Sequence, residues 1–395
     1  MSTKVVLVES YPQVIAGQQL EMLSLLSHSA DAGVTPIVMV PAPGMFVDRL
    51  MDEGWNVRTI PYPESLTRYG GEIYRDGIGK RLFVLRDTVK YISLVRRELK
   101  SIRPAAIFHN DLRGLLTVGI AAKSLGIPNV IWDKLNKPHG ILDWFQLPLV
   151  RHNPMISNPV AEKYPAWQRR WYRDRISVVP DGVDSNCFQS VAPIRDQLGY
   201  QESDVVFGIF GTVTHRKAHD VLLDAAAPIL KSSENAKILV VGSWTDAEED
   251  EAFQRTLNDR NLPGIQFLGR RDDIPRLMNS IDVLVIPSRM EGLGLVTLEA
   301  MACAKPVIGS RIGGIAEAVV DNETGLLFES ENRDGLRQAL QSMINDPAMR
   351  RQMGEAGRLR VQTHYNREEK MRTIWNLILD AAGRAPDPFF EELPC

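Results

Sequence analysis

The chain has 395 residues, of which 44% are hydrophobic and 24% are charged, and its formal net charge is −3. That length exceeds what one compact core normally holds and predicts two domains of roughly 150–200 residues each. No run approaches the roughly 20 apolar residues that cross a bilayer, and the start MSTKVVLVES lacks the pattern of a secretory signal. The three scattered cysteines form no CxxC pair, so we expect a reduced, cytoplasmic protein without a metal knuckle or a disulfide frame.

Charge is distributed unevenly along the chain. Residues 1–190 carry 23 Lys and Arg against 18 Asp and Glu, a balance of +5, whereas residues 191–395 carry 23 against 31, a balance of −8. The two halves are therefore expected to contact different partners. The chain is acidic overall and shows no nucleic-acid recognition module, so we expect no nucleic-acid partner.

Short β-branched runs alternate with amphipathic stretches. Strands are predicted at residues 5–8, 37–40, 57–60, 106–109 and 130–132, and again at 205–210, 238–241, 265–268, 283–286, 307–308 and 325–328. Helices are predicted at residues 18–29, 81–102, 221–230, 247–259, 334–344 and 367–382. This alternation indicates α/β architecture, with parallel sheets covered by helices on both faces.

The alternation breaks at residues 177–199, SVVPDGVDSNCFQSVAPIRDQLG, which are rich in turn-forming residues. We therefore predict two doubly wound, Rossmann-like domains facing a cleft, at residues 1–190 and 191–366. Residues 367–395 are predicted to form a helix that crosses back to the first domain, followed by a tail. Ligands of such sheets bind at the carboxyl ends of the strands.

The most informative stretch is PSRMEGLGLVTLEAMACAKPVI, residues 287–308. It predicts a strand end, then the loop Glu291, Gly292, Leu293 and Gly294, then a helix beginning near Leu295. Free backbone N–H groups and the positive helix end make such a point an anion site. The glycines allow a ligand to approach the backbone closely.

Two carboxylates, Glu291 and Glu299, flank this anion site. An ionised carboxylate accepts hydrogen bonds only, so hydroxyl groups are its natural partners. Two isolated glutamates at this spacing are usually both solvated. Glu299, however, lies in an otherwise apolar stretch, where a charge without a partner is energetically unfavourable. A nucleoside diphosphate sugar matches this pattern: Glu291 would hold sugar hydroxyls, Glu299 the ribose diol, and the phosphate would meet the amides of Gly294, Leu295, Val296 and Thr297.

A second group of candidates follows the strand at residues 205–210, in GIFGTVTHRKAHDVLLDAA. Gly211 and Thr212 begin a loop that ends in Arg216 and Lys217. Two cations there would stabilise the charge that develops on a departing diphosphate, although a solvated basic loop is the simpler alternative. No Asp-x-Asp pair or metal-ligand triad occurs at a strand end in this half, so we expect no metal and no bound cofactor.

Several ordered motifs resemble the family-4 retaining glycosyltransferases of the two-Rossmann-domain (GT-B) architecture. They are VVPDGVD, GIFGTVTHRKAHD, VVGSW, FLGRRDDIPRLMNSIDVLVIPS, the Glu291–Glu299 stretch and AMACAKPVIGSRIGGIAEAVVDNETGLLF. The resemblance is strong over residues 176–328 and weaker over the first half. It implies an acceptor-binding first domain, a donor-binding second domain, and metal-independent, retaining transfer of a hexose.

The resemblance also implies the substrates. The donor would be a UDP- or GDP-sugar and the acceptor a hydroxyl of a glycan or lipid-linked molecule, in cell-surface polysaccharide or glycolipid assembly. It assigns catalytic roles to Glu291, Lys217 and Arg216. It also places His109 near the sugar or acceptor, against the alternative of a structural histidine, and places Arg270 along the nucleobase.

The sequence departs from the family at several positions. Thr212 replaces an arginine, and the neighbouring Arg216 offers that charge instead. Ala218 and Ala304 replace glycines. The loop after the first strand, which usually carries a glycine pair, has only Gly17, which we count among the donor-binding candidates.

Basic and aromatic residues alternate in KYPAWQRRWYRDR, residues 163–175, and a second basic block covers residues 80–103. Either block is compatible with a solvated face or with contact to an anionic membrane surface. The second reading would place the protein peripherally on the cytoplasmic face of the inner membrane.

Other functions remain open at this stage. A sugar phosphorylase or synthase would share the fold, and so would a catalytically silent nucleotide-sugar-binding protein. A dinucleotide-dependent dehydrogenase is disfavoured, because ESYPQVIAG follows the first strand where GxGxxG is required.

Overall fold

The computed structural model describes residues 3–67, 78–134, 138–189, 191–244, 255, 257 and 262–384, with residues 78–82 described by their backbone alone. The chain divides into two compact units. The first unit comprises residues 1–156, 161–179 and 371–395, and the second comprises residues 157–160 and 180–370.

The first unit contains a five-stranded parallel sheet in the order β3-β2-β1-β4-β5. Its apolar strands are enclosed, as expected for a parallel sheet with both faces covered: Val5, Val6 and Leu7 of β1 have no exposed surface. The strands of this unit are β1 Thr3–Val8, β2 Val34–Val40, β3 Val57–Thr59, β4 Ala106–His109, β5 Asn129–Ile131, β6 Asn153–Met155 and β7 Ile176–Val178.

The helices of the first unit include one long helix, α4, and several short ones. Their bounds are α1 Gly17–Ser27, α2 Met45–Asp52, α3 Glu64–Thr67, α4 Ile78–Ile102, α5 Leu112–Gly114, α6 Ile120–Lys123, α7 Gln146–Leu149 and α8 Ala166–Trp171. A π-helical turn, Leu115–Gly119, joins α5 to α6. Turns of this kind are frequent at functional sites.

The second unit contains a six-stranded parallel sheet in the order β10-β9-β8-β11-β12-β13. The two central strands, β8 and β11, lie side by side, so the loops that follow them emerge at the same edge of the sheet. The strands are β8 Val205–Phe210, β9 Ala236–Val241, β10 Ile265–Phe267, β11 Val283–Ile286, β12 Val307–Ser310 and β13 Gly325–Phe328.

Local capping signals account for the ends of several helices that follow. The Asn332 side chain accepts from Gly335 N at 3.0 Å, and Asp346 accepts from Met349 N at 2.9 Å ahead of Pro347. The helices are α9 Asn186–Gln189, α10 His219–Ser232, α11 Ile274–Ser280, α12 Leu295–Ala302, α13 Ile315–Ala318, α14 Arg333–Asn345, α15 Pro347–His364 and α16 Arg367–Ala381. Within the first unit, Trp375 of α16 donates its indole N–H to Leu25 O at 2.9 Å.

The predicted strands are all present, with ends that differ by no more than three residues. The small parallel sheet of β6 and β7 was missed, because each strand has three residues and Pro154 interrupts the first. Helices α2 and α15 were also missed. The helix predicted at residues 247–259 falls almost wholly outside the described residues.

Two alanines occupy left-handed backbone that glycine adopts without strain. Ala218 precedes α10 with φ +54°, and Ala304 follows α12 with φ +53°. A Cβ atom destabilises this conformation by about 1–2 kcal/mol. These are the positions at which the resembled family carries glycine, so the turns keep the glycine geometry despite the substitution.

We expect Ala304→Gly to stabilise the second unit by up to about 1 kcal/mol, because relief of the left-handed strain exceeds the added chain entropy of glycine. The melting temperature measured by calorimetry should rise by a few degrees. As a control, Ala356→Gly in the middle of α15 should lower the stability by about 1 kcal/mol. A lower melting temperature for Ala304→Gly would contradict the strain argument.

Candidate active site

The loop between β11 and α12 is built from glycines. Gly294 ends it in left-handed backbone, with φ +76°, and a Cβ there would lie 3.2 Å from both Glu291 Cγ and Thr297 Oγ1. Gly292 O accepts from Gly314 N at 2.7 Å and from Ser157 Oγ at 3.0 Å. A Cβ on Gly314 would lie 2.1 Å from Gly292 O, so this contact also requires glycine. The loop is therefore fixed from two sides.

Glu291 meets both cations of the neighbouring loop. Its Oε2 lies 2.5 Å from Lys217 Nζ and 3.3 Å from Arg216 Nη1. Burial alone would raise the pKa of this carboxyl, but Lys217 and Arg216 outweigh the burial and hold the pKa below its usual value. Glu291 is consequently ionised at neutral pH. The structure brings together three residues that the sequence suggested separately.

The loop after β8 is shaped to aim Lys217. Gly211 has φ +129°, and the Lys217 stem passes over it, with Cε 3.4 Å from where a Cβ would be. Thr214 caps the short turn His215–Lys217 by accepting from Lys217 N. Gly242 packs closely against the backbone of this loop, because a Cβ there would lie 1.9 Å from Gly211 O. Thr212 lies in the same loop.

Arg289 links the two loops, and the sequence analysis missed it. Its backbone N–H donates to Arg216 O at 2.8 Å, and its Nη1 donates to His215 O at 2.6 Å. The same guanidinium forms a two-pronged ion pair with Asp220, at 3.0 and 2.7 Å. Arg289 therefore fixes the backbone at His215 and Arg216, directly before Lys217. The signal in sequence was an arginine directly after the strand end, but its partners lie about 70 residues earlier.

Two buried hydroxyls lie at the carboxyl end of β11 and the start of α12. Ser288 and Thr297 have no exposed surface, and neither side-chain oxygen has a hydrogen-bond partner within the described residues. Buried hydroxyls are nearly always hydrogen-bonded, so two hydroxyls without a partner among the described residues are unusual. Thr297 was predicted from the sequence, whereas Ser288 was not.

Glu299 lies one turn into α12, and burial raises the pKa of its carboxyl to about 7, opposed by the positive charge of Arg367. It is thus largely withdrawn from water, as its apolar surroundings in sequence suggested. Leu293 is buried, while Leu295 and Val296 are partly exposed at the start of α12.

The remaining candidates lie elsewhere. His109 has no exposed surface, its Nε2 is 2.9 Å from Asn129 Oδ1, and burial lowers its pKa to about 4. Its position favours the structural alternative over contact with a ligand. Gly17 begins α1 in the first unit. Arg270 is mostly exposed, with Nε 4.0 Å from Asp272 Oδ1, and is not joined to the Glu291 cluster by any observed contact.

The described residues contain no group of three His, Cys, Asp or Glu side chains arranged to hold a metal ion. None of their helices combines the length and apolarity needed to cross a membrane.

Comparison with known proteins gives the following matches. Residues 191–360 match the family model for glycosyl transferases group 1. An uncharacterized glycosyltransferase of Methanocaldococcus jannaschii is 35% identical over 42% of this chain and 46% of its own length. A GDP-mannose-dependent monoacylated alpha-(1-6)-phosphatidylinositol monomannoside mannosyltransferase of Corynebacterium glutamicum is 30% identical over 51% of this chain and 55% of its own length. The chain thus spans about half the length of the curated relatives it matches.

Among solved structures, HepE from Anabaena in complex with UDP and glucose superposes with a TM-score of 0.74 at 19% identity. The match covers 94% of this chain and 98% of the other, and at that identity it bears on the fold alone. The strand orders of both parallel sheets agree with this architecture. Residues 191–360 are therefore similar to the glycosyl transferases group 1 family, and the chain has the GT-B fold.

Proposed function

We propose that the protein is a retaining glycosyltransferase that moves a hexose from a UDP- or GDP-sugar to a hydroxyl of a glycan or lipid-linked acceptor. The observation that carries the proposal is the cluster of Lys217, Arg216 and Glu291 beside the start of α12. Cations, helix amides and a carboxylate within one site suit a ligand with an anionic centre and hydroxyl-bearing ends. A role in glycolipid assembly agrees with the name of the Corynebacterium relative, a phosphatidylinositol monomannoside mannosyltransferase, and polysaccharide assembly is the other setting of this proposal.

Donor binding would rearrange the ion pairs of this cluster. The diphosphate binds to Lys217, Arg216 and the amides of Gly294–Thr297, because a helix N-terminus and two cations attract an anion. Glu291 then exchanges Lys217 for the hydroxyls of the sugar. Thr297 and Ser288 then form hydrogen bonds to the donor through their hydroxyls, which have no partner among the described residues. Glu299 accepts from the ribose diol.

Transfer breaks the bond between the sugar C1 and the phosphate oxygen and forms a bond from C1 to the acceptor oxygen. Lys217, Arg216 and the helix amides stabilise the charge that develops on the departing diphosphate. The acceptor hydroxyl gives its proton to a phosphate oxygen on the same face, so configuration is retained. His109, enclosed and neutral, serves the packing of the first unit in this scheme.

Two alternatives differ from this proposal in measurable ways. A phosphorylase would accept a sugar 1-phosphate in place of a nucleotide sugar. A silent binding protein would bind the donor without turnover. The intact ion pair between Lys217 and Glu291 favours an enzyme, because a binding protein has no need of a cation aimed at a leaving group.

The proposal is tested by thermal-shift screening of the full chain against UDP-, GDP- and ADP-sugars and sugar 1-phosphates, in EDTA. A ligand that binds only the folded state raises the melting temperature. We expect a shift with a UDP- or GDP-sugar that survives EDTA and is lost in Lys217→Ala. A shift with sugar 1-phosphates alone would favour the phosphorylase.

The donor found in this way is then used to follow the product by proton NMR. We expect an α-linked donor to give an α-linked product. A β-linked fresh product would refute retention, and a strict requirement for added magnesium or manganese would refute metal independence.

We expect Glu291→Gln to reduce kcat at least about 10²-fold, equivalent to roughly 2.7 kcal/mol of transition-state stabilisation. The same variant should bind the free nucleoside diphosphate at least as tightly as the wild type, because Glu291 no longer competes for Lys217. Calorimetry and initial rates measure the two effects. The exposed Glu323→Gln serves as a charge-matched control and should leave both unchanged. Weaker diphosphate binding in Glu291→Gln would contradict the exchange of partners.

We also propose contact between the first unit and an anionic membrane surface. The 3-10 turn Gly140–Phe145 and helix α8 expose Trp144, Phe145, Trp167 and Trp171, the last with 77% of its surface accessible. The Trp144 and Trp167 rings meet edge to face at 6.4 Å, so the aromatic residues form one patch. Exposed aromatic patches of this kind mark interaction surfaces.

The charges around this patch differ in role. Lys163 pairs with Asp133 at 2.7 Å, and Arg175 donates to Leu147 O and Val150 O, so these two are structural. Arg169 and Arg170 are exposed beside the tryptophans on α8. Interfacial tryptophans next to exposed arginines suit the headgroup region of an anionic bilayer, on the cytoplasmic face of the inner membrane in this proposal.

We expect the protein to co-sediment with phosphatidylcholine vesicles that contain phosphatidylglycerol, and less so as salt rises, because salt screens exposed charges. The double variant Trp167→Ser, Trp171→Ser should remain in the supernatant. Leu359→Ser, which removes an exposed apolar residue of the second unit, is the control. Equal sedimentation of wild type and double variant would exclude this patch as the contact surface.

A further inference from the structure

One side-chain cluster of the first unit has no role in the donor binding and transfer proposed for the second unit. It lies at the carboxyl ends of β1 and β4, where the Arg113 guanidinium lies 4.5 Å from the centre of the Tyr62 ring and 5.7 Å from that of Tyr11. Tyr62 packs in turn against Tyr91, with ring centres 4.8 Å apart. Tyr91 is buried and donates its hydroxyl to Ile60 O at 3.3 Å. The guanidinium is thus held by rings that are themselves fixed.

The backbone of Arg113 is fixed as well. Its carbonyl accepts from Thr117 Oγ1 at 2.8 Å, at the π-helical turn Leu115–Gly119 that follows it. Asp111 caps α5, the short helix that contains Arg113, by accepting from Gly114 N at 2.7 Å. The arginine is therefore oriented both through its side chain and through its main chain.

Asp111 does not serve as the ion-pair partner of Arg113. Its Oδ1 is taken by Gly114 N, and its Oδ2 accepts from Ser10 N at 3.0 Å. Among the described residues, no hydrogen bond or ion pair to the Arg113 guanidinium is observed, only its contacts with the rings. A half-buried guanidinium with its N–H edge unengaged is unusual, because each of its five donors prefers an acceptor.

Two carboxyls, Glu9 and Asp111, lie near Arg113, but their surroundings weaken the repulsion that they would exert on a bound anion. Glu9 is buried, and its oxygens accept from Tyr11 N at 2.7 Å and Asn110 Nδ2 at 2.6 Å. Burial, with Asp111 beside it, raises the pKa of Glu9 to about 7, and burial also raises the pKa of Asp111. Near neutral pH the negative charge of Glu9 is therefore reduced.

We propose that Arg113, clamped by Tyr11 and Tyr62, binds a phosphate or carboxylate group carried by the acceptor. The inference rests on the proposed function and adds to it the chemical class of the acceptor. A guanidinium recognises such groups through two parallel N–H donors, and aromatic stacking fixes its plane without consuming those donors. The acceptor is thus a polyol that bears an oxyanion, rather than a neutral sugar.

The test measures binding of oxyanion probes by calorimetry on the full chain. The probes are sn-glycerol 3-phosphate, glucose 6-phosphate and glucuronate, each compared with its neutral counterpart, glycerol or glucose. We expect at least one anionic probe to bind and its neutral counterpart not to bind. The phosphate and carboxylate arms distinguish which oxyanion is recognised.

Three variants identify the site. Arg113→Gln should weaken binding of the anionic probe at least about tenfold, and Arg113→Lys should restore only part of it, because an ammonium cannot form the two-pronged contact. Arg96→Gln, the same charge change at an exposed position of α4, should have no effect. Binding of UDP or GDP should be the same in all three variants as in the wild type.

Equal binding of the anionic probe by wild type and Arg113→Gln would overturn the proposal, and so would the absence of binding by every anionic probe. UDP and GDP binding are measured in the same series. If the wild type binds neither UDP nor GDP, that result counts against the glycosyltransferase function, independently of the Arg113 result.

Discussion

The candidate site of the second unit depends on one contact, between Lys217 Nζ and Glu291 Oε2 at 2.5 Å. It joins the loop that follows β8 to the loop that follows β11, two strands that are neighbours in the sheet. A carboxylate withdrawn from water is stable only when its charge is compensated, and here Lys217 and Arg216 provide that compensation. Removing either partner leaves a charge with reduced solvation, so the two loops are energetically coupled.

The geometry of that contact is set by residues that carry no charge in the site. Gly294 and Gly211 adopt positive φ angles, +76° and +129°, which a residue with a Cβ would adopt only with strain. Arg289 fixes the backbone of the basic loop through His215 O and Arg216 O. The functional side chains are thus oriented by two glycines and by an arginine whose ion pair with Asp220 lies outside the cluster.

The sequence predicted much of this arrangement because its signals are local. Buried strands of a parallel sheet are continuous apolar runs, and the glycines and cations of the site follow such runs directly. Glu291, Lys217 and Arg216 were identified in this way, and they meet in the structure. The short strands β6 and β7 were missed because three residues do not establish a period.

Residues whose role depends on distant partners were not predictable. Ser288 and Arg289 lie between recognised positions, but an unpartnered hydroxyl or a contact with Asp220 becomes visible only in three dimensions. His109 shows the converse. A strand-end histidine suggested contact with substrate, yet the fold encloses it against Asn129. The clamp around Arg113 joins residues from three separate segments, which no spacing in the sequence reveals.

The ion pair at Glu291 also has a consequence for selectivity among the abundant anions of a cell. A simple anion such as chloride can occupy Lys217 only by displacing the carboxylate, and it offers that carboxylate no hydrogen-bond donor in return. The displaced Glu291 would then keep only Arg216 as a counter-charge. A ligand that bears both a diphosphate and hydroxyl groups would replace each lost contact with a new one, so the ion pair disfavours plain anions.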